Sequence, residues 1–239
     1  MVRCMCWNQE ISATVASAGY IGSYALKRSG APKSLYVPMA YFATMEALQA
    51  GSYFVVDDCG DNLNKITAFL AYIHICFQGV FVNWWFSYFT KPGSAYLKSI
   101  KNIMYLCTIG GVLMALRLVP YNFADNLCQA NDAAQLCGAT TCTKFGNWHL
   151  YWELAINAPN YVAQGMGLHF FMMFCIPIAF GHRSIAFWIQ LLTGPLLFYF
   201  LVGSREMPAI WCLFATTQLA VSLVIYNRRK LQIGKQSGS

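Results

Sequence analysis

The chain has 239 residues, 57% hydrophobic and 16% aromatic, with only 10% charged and a net charge of +7. Soluble globular proteins carry about 25% charged residues, so the composition excludes an ordinary soluble domain. Its cations fall in gaps between apolar stretches, so the positive charge reports membrane sidedness and gives no reason to expect nucleic-acid binding.

Seven apolar stretches are predicted to form spanning helices: Ile11 to Leu26, Leu35 to Val56, Ile66 to Thr90, Ile103 to Val119, Tyr161 to Gly181, Ile185 to Val202 and Met207 to Tyr226. A span needs about 20 mainly apolar residues, and the first and fourth are the shortest. The odd gaps hold Lys27, Arg28 and Lys33, then Lys91, Lys98 and Lys101, then Arg183, and the tail adds Arg228, Arg229, Lys230 and Lys235. No anion accompanies these cations. The other side holds Arg3, Lys65, Arg117, Lys144 and Arg205 against Glu10, Asp57, Asp58, Asp61, Asp125, Asp132, Glu153 and Glu206. Cytoplasmic loops collect Lys and Arg, so the N-terminus is expected outside and the C-terminus in the cytosol. The fold class is therefore all-α, a polytopic seven-transmembrane helix bundle. Residues 1–227 form a single membrane domain, and residues 228–239 a basic, polar cytosolic tail.

Along the chain, Cys4 and Cys6 precede the first stretch, which carries Ser12, Thr14, Ser17 and Tyr20. Ser29-Gly30-Ala31-Pro32 reads as the first cytosolic turn. The second stretch carries Glu46 and ends at an acidic gap containing Cys59. His74, Gln78 and Asn83 lie in the third, which closes on an aromatic run from Trp84 to Phe89 and on Pro92-Gly93-Ser94. Arg117, near the outer end of the fourth, reads as an anchor that reaches the surface.

The longest gap, residues 120–160, holds Cys128, Cys137 and Cys142; the run from Trp148 to Ile156 is expected to form a short helix at the outer interface. Gln164, His169 and Pro177 belong to the fifth stretch, Pro195 to the sixth, and Thr216, Thr217 and Gln218 to the seventh. The two prolines are expected to kink their helices where neighbours satisfy the freed carbonyls. His149 and His182, at the interfaces, are expected to be solvated.

This topology places Cys4, Cys6, Cys59, Cys128, Cys137 and Cys142 outside, where an oxidising compartment favours disulfides. Their pairing stays open, since six cysteines allow 15 connectivities. Cys76, Cys107, Cys175 and Cys212 fall within spans, where a thiol packs as a small apolar group.

Ionisable residues inside a membrane are costly and mark functional sites. Counting residues at about 1.5 Å rise each brings Glu46, His74 and His169 to one depth near the bilayer middle. Gln78 lies one turn from His74, with Asn83 deeper and Gln218 approaching from the seventh stretch. Glu46, His74, Gln78, Asn83, His169 and Gln218 are thus the candidates for binding a ligand or handling a proton. Glu46, His74 and His169 also have the chemistry of a metal site, and a purely structural polar network is a further alternative. No catalytic set is defined, and an enzyme is the less favoured reading. The seventh stretch has no lysine for a retinal Schiff base, which disfavours retinal; no other cofactor is indicated.

The opening Cys6-Trp7-Asn8-Gln9-Glu10-Ile11-Ser12-Ala13-Thr14, with Glu46 in Ala43-Thr44-Met45-Glu46, resembles an uncharacterised family of multi-pass membrane proteins from large DNA viruses, protists and bacteria. Members begin with a Cys-(Trp)-Asn/Ser motif and carry a Glu in the second span. The resemblance implies a shared helical membrane fold and no particular activity. The resulting expectation is a transporter or receptor-like protein handling a small molecule or ion through a mid-membrane polar pocket. Its site is a plasma membrane, endomembrane or viral envelope, with the cysteine-rich face in an oxidising compartment. The alternatives are a structural or assembly subunit of a larger membrane complex, or of a homo-oligomer, and a metal-dependent intramembrane enzyme.

Overall fold

A computed structural model describes residues 8–119, 136–157, 165–197, 206–212 and 222–227, and they are mostly helical. Helix α1 (Gln9–Arg28) starts where the Asn8 side chain accepts the Ile11 amide, with Glu10 in its first turn and Lys27 and Arg28 in its last. That charge order suits the helix dipole. The predicted cytosolic turn follows, with Gly30 at a φ of 79° that suits glycine, and α2 (Lys33–Ser52) runs back along α1.

Asp61 caps α3 (Asn62–Tyr88) by accepting the Leu63 and Asn64 amides. Its 27 residues pack against α2 on one side and α5 (Ile100–Ala115) on another, after a short α4 (Ala95–Lys98). Helix α5 turns Gly110 and Gly111 inward and Tyr105, Leu106, Ile109, Val112 and Leu113 outward. A Cβ on Gly111 would lie 2.6 Å from the Cys76 carbonyl oxygen, so only glycine lets α5 approach α3 this closely. Small residues at such seams are the usual device of membrane helix packing.

The fifth stretch is helical as α6 (Gly165–Phe170), a π-helical turn Phe171–Cys175, and α7 (Ile176–Ala179). In a π-turn the Met172 carbonyl would look for the amide of residue 177, but Pro177 has none. Asn83 of α3 supplies the missing donor, its Nδ2 standing 3.0 Å from the Met172 oxygen. The sixth stretch repeats the device as α8 (Ile185–Leu191) and a π-turn Leu192–Leu196, with Gly194 out of helical geometry beside Pro195. Residues 207–212 and 222–227 of the seventh stretch are helical.

Among the described helices, Asn62–Tyr88 and Ile100–Leu118 are long and apolar enough to cross a membrane. Gly167–Ala179 and Ile185–Leu196 are apolar but shorter. Helices α1 and α2 reach 20 residues each and mix Ser, Thr, Gly and Tyr into their apolar faces.

The expected short helix from Trp148 to Ile156 is instead part of a β-hairpin. Strand β1 (Cys142–Phe145) pairs antiparallel with β2 (Leu150–Glu153), in the register Cys142 with Glu153 and Phe145 with Leu150. Leu150 and Trp152 point inward and Tyr151 and Glu153 lie half-buried, the period of two that strands demand. Gly146-Asn147 supplies the turn signal.

Disulfide Cys59–Cys142 joins the hairpin to the loop before α3, and Cys137 is also disulfide-bonded. Cys4, Cys6, Cys128 and the tail lie outside the described residues. Asn64 acts as an added strand edge: its Oδ1 accepts the Thr143 amide at 2.7 Å, and its Nδ2 donates to the Thr143 and Val55 carbonyls. Asp57, at a φ of 65°, donates its amide to Thr143 and accepts the Phe145 amide on its carboxylate.

Candidate functional site

Glu46 and Gln49 follow one another along the inner face of α2 at helical spacing, and Tyr53 continues the row just past its end. Glu46 is fully buried, and neither carboxylate oxygen has a hydrogen-bond partner among the described residues. Ser12 of α1, itself buried, lies within interacting distance of it. From the seventh stretch, Cys212 comes within electrostatic reach of Glu46 and accepts a hydrogen bond from Gln78 Nε2 at 3.1 Å. One turn further along α2, Gln49 Nε2 donates to the Ala209 carbonyl at 3.3 Å. Residues 207–212 thus lie against both α2 and α3.

His169 of α6 is buried, its ring edge-on to Trp211 with centroids 5.5 Å apart, and it bonds the Ile75 backbone. Glu46, Gln78 and His169 therefore converge on Trp211 and Cys212. His74 turns elsewhere: its Nε2 meets the Tyr41 carbonyl at 2.7 Å, and its ring stacks on Tyr41 at 3.8 Å. Asn83 bonds Tyr96 as well as Met172, which makes it part of the α3 to π-turn seam. Gln218 lies outside the described residues.

Among the described residues no group of three or more His, Cys, Asp or Glu side chains is placed to hold a metal ion. The proposed trio of Glu46, His74 and His169 is not such a group, because His74 faces Tyr41 while His169 faces Trp211. The spare polar atoms at this level are Glu46 Oε1 and Oε2, Ser12 Oγ, His74 Nδ1, His169 Nδ1 and Trp211 Nε1. Buried polar groups are nearly always paired, and these have no partner among the described residues.

Two histidines expected to be solvated are fully buried. His182 packs on Phe86 and Tyr96 at 4.9 and 4.5 Å and bonds Thr90 and Ser184 through its two ring nitrogens. Burial lowers its pKa to about 4, which leaves it neutral near pH 7. His149, in the hairpin turn, has its Nδ1 2.7 Å from the Tyr53 hydroxyl and its Nε2 2.6 Å from Gln49 Oε1. The turn is held by Glu206, whose carboxylate accepts the amides of Asn147, Trp148 and His149 at 2.7, 2.7 and 2.9 Å.

Gln49, Tyr53, His149, Glu206 and Cys212 were not singled out as site residues by sequence. The spacing of Glu46, Gln49 and Tyr53 was the readable clue to two of them. Arg117, read as an anchor, bonds the Asn157 carbonyl through Nε and so ties α5 to the end of the hairpin segment.

A family model described as "Family of unknown function (DUF5765)" matches residues 10–232, and the chain belongs to that family. No curated protein and no solved structure matches it.

Proposed function

We propose that this member of the DUF5765 family is a seven-span integral membrane protein, N-terminus outside and C-terminus cytosolic, that moves or binds a proton or small cation at Glu46. The segregated cations, the outward apolar face of α5 and a disulfide between two cysteines of the acidic side support the topology. The observation that carries the function is the buried Glu46 carboxyl, with both oxygens unbonded among the described residues, Ser12 within interacting distance and Cys212 within electrostatic reach. A buried carboxylate is strongly disfavoured unless a cation or proton neutralises it. Nature keeps such groups inside membranes for ion and proton pathways.

The test is flux into sealed vesicles reconstituted with the full chain and loaded with a pH-sensitive or cation-sensitive dye. A proton or Na⁺ gradient should dissipate at least about tenfold more slowly with Glu46→Gln than with the native chain, since the amide keeps the shape and loses the charge. Equal rates for the two proteins, both above protein-free vesicles, would overturn the assignment to Glu46.

A further inference from the structure

Three cations of the basic side are drawn together by one histidine. His182 meets Thr90 Oγ1 through Nδ1 at 2.9 Å and Ser184 Oγ through Nε2 at 2.8 Å, and its ring centroid lies 4.5 Å from that of Tyr96. The segment between α3 and α5 and the segment between α7 and α8 are therefore fastened to each other through a fully buried side chain. Lys91 follows Thr90, Lys98 stands two residues past Tyr96, and Arg183 follows His182, so the fastening gathers all three at one corner. Each is exposed, and none has a side-chain hydrogen bond or ion pair among the described residues. Neither segment contains an acid. Three positive charges without an internal counter-charge attract an anion.

The surface beside them selects the kind of anion. Arg183 leads through Ser184, whose hydroxyl caps α8 by accepting the Phe187 amide, into a helix that buries Ala186, Phe187 and Gln190. Its other face exposes Ile185, Trp188, Ile189 and Leu192. This spacing forms one apolar stripe that begins at the cations and runs away from them. A soluble anion makes no use of such a stripe, whereas a phospholipid sets its phosphate at the cations and a chain along the helix. The turn between α1 and α2 is the contrast. Lys27, Arg28 and Lys33 are equally exposed, but the outward face of α1 leading to them is interrupted by the hydroxyls of Thr14, Ser17, Tyr20 and Tyr24.

We propose that Lys91, Lys98 and Arg183, with the outward stripe of α8, form a binding site for one anionic phospholipid of the leaflet that meets the basic side. The three cations hold the phosphate group, and an acyl chain lies along Ile185, Ile189 and Leu192. His182 is a positioning residue that fastens the two cation-bearing segments. This inference rests on the membrane reading given above and does not involve Glu46.

The test is native mass spectrometry of the full chain, delipidated in a neutral detergent, with phosphatidylglycerol or phosphatidylcholine of matched chains added and with inorganic phosphate as the free anion. Each cation beside an anionic headgroup is worth about fivefold in affinity, so the native chain should bind phosphatidylglycerol at least about tenfold more tightly than phosphatidylcholine. Replacing the corner by Lys91→Gln, Lys98→Gln and Arg183→Gln together should reduce that preference to about twofold or less. Replacing the other turn by Lys27→Gln, Arg28→Gln and Lys33→Gln should keep it. If the corner variant does not fold, Arg183→Gln alone is read in its place, with an expected loss of about fivefold. No preference in the native chain, a preference kept by the corner variant, an equal loss in both triple variants, or displacement of the lipid by inorganic phosphate each overturns the proposal. A lipid preference without Glu46-dependent flux leaves this site standing and removes the assignment to Glu46, and flux without the preference does the reverse.

Discussion

Glu46 and Glu206 are both acidic and both buried, at 0% and 6% exposure, yet they live in opposite regions of the molecule. Glu206 belongs to the hairpin cap, where its carboxylate takes three amide hydrogens and the hairpin is further bonded to Asn64, Asp57 and Cys59. Glu46 belongs to the helical core and takes none among the described residues. Thr143 Oγ1 and Trp152 Nε1 are the unbonded buried polar atoms of the cap. Burial of a charge therefore does not mark a site by itself. A saturated carboxylate organises backbone, and an unsaturated one is available for chemistry.

The largest expected effect lies in the cap. Replacing Cys59 and Cys142 by Ser removes a link between residues 83 apart, which should lower stability by about 4 kcal/mol. Thermal denaturation of the double variant, beside the native chain with and without reductant, measures it. An unchanged midpoint would mean that hydrogen bonds alone hold the cap.

An intermediate effect separates the two acids. Glu206→Gln should destabilise by about 2 kcal/mol, because three amides lose a charged acceptor. Glu46→Gln should leave the denaturation midpoint close to that of the native chain, since it replaces a carboxyl that has no hydrogen-bond partner among the described residues. The same sign and size for both variants would dissolve the contrast.

The smallest effect is at the rim, where Lys144 and Glu153 pair at 2.7 Å with the lysine side chain 30% exposed. The hydrogen bond to Glu153 raises the Lys144 pKa above 10.5. A raised lysine value contributes stability below 10.5, and the contribution is lost as pH rises through the folded value. Lys144→Ala should therefore cost less than about 1 kcal/mol near neutral pH, and flatten only the alkaline limb of midpoint against pH. A larger neutral-pH loss would put the ion pair among the main supports of the cap.

How much of this was legible beforehand depended on which physical signal carried it. Helices α1 to α3 and α5 lie within a few residues of the stretches marked by apolar runs and charge reversal, and the turns at Gly30 and Gly93 fall where Gly and Pro punctuate the chain. The segment from Trp148 to Ile156 is rich in aromatics that suit an interfacial helix, but Leu150, Tyr151, Trp152 and Glu153 alternate in burial after the Gly146-Asn147 turn, and that period of two belongs to a strand. At the site, depth was countable and rotation was not. His74 and Glu46 can share a level while His74 faces Tyr41. The partners of Gln49 come from residues 149 and 209, separations that no local pattern reports.

Cys59 and Cys142 also bear on the order of manufacture. Synthesis at about 5 to 20 residues per second puts the second thiol on the order of 10 s behind the first. Throughout that interval α3 and α5 must be made and the hairpin brought back to the loop before α3 before the bond can close. Under the proposed seven-span topology, closure is a checkpoint on insertion: a chain that places α5 the wrong way round leaves Cys142 across the membrane from Cys59, and the pair stays open.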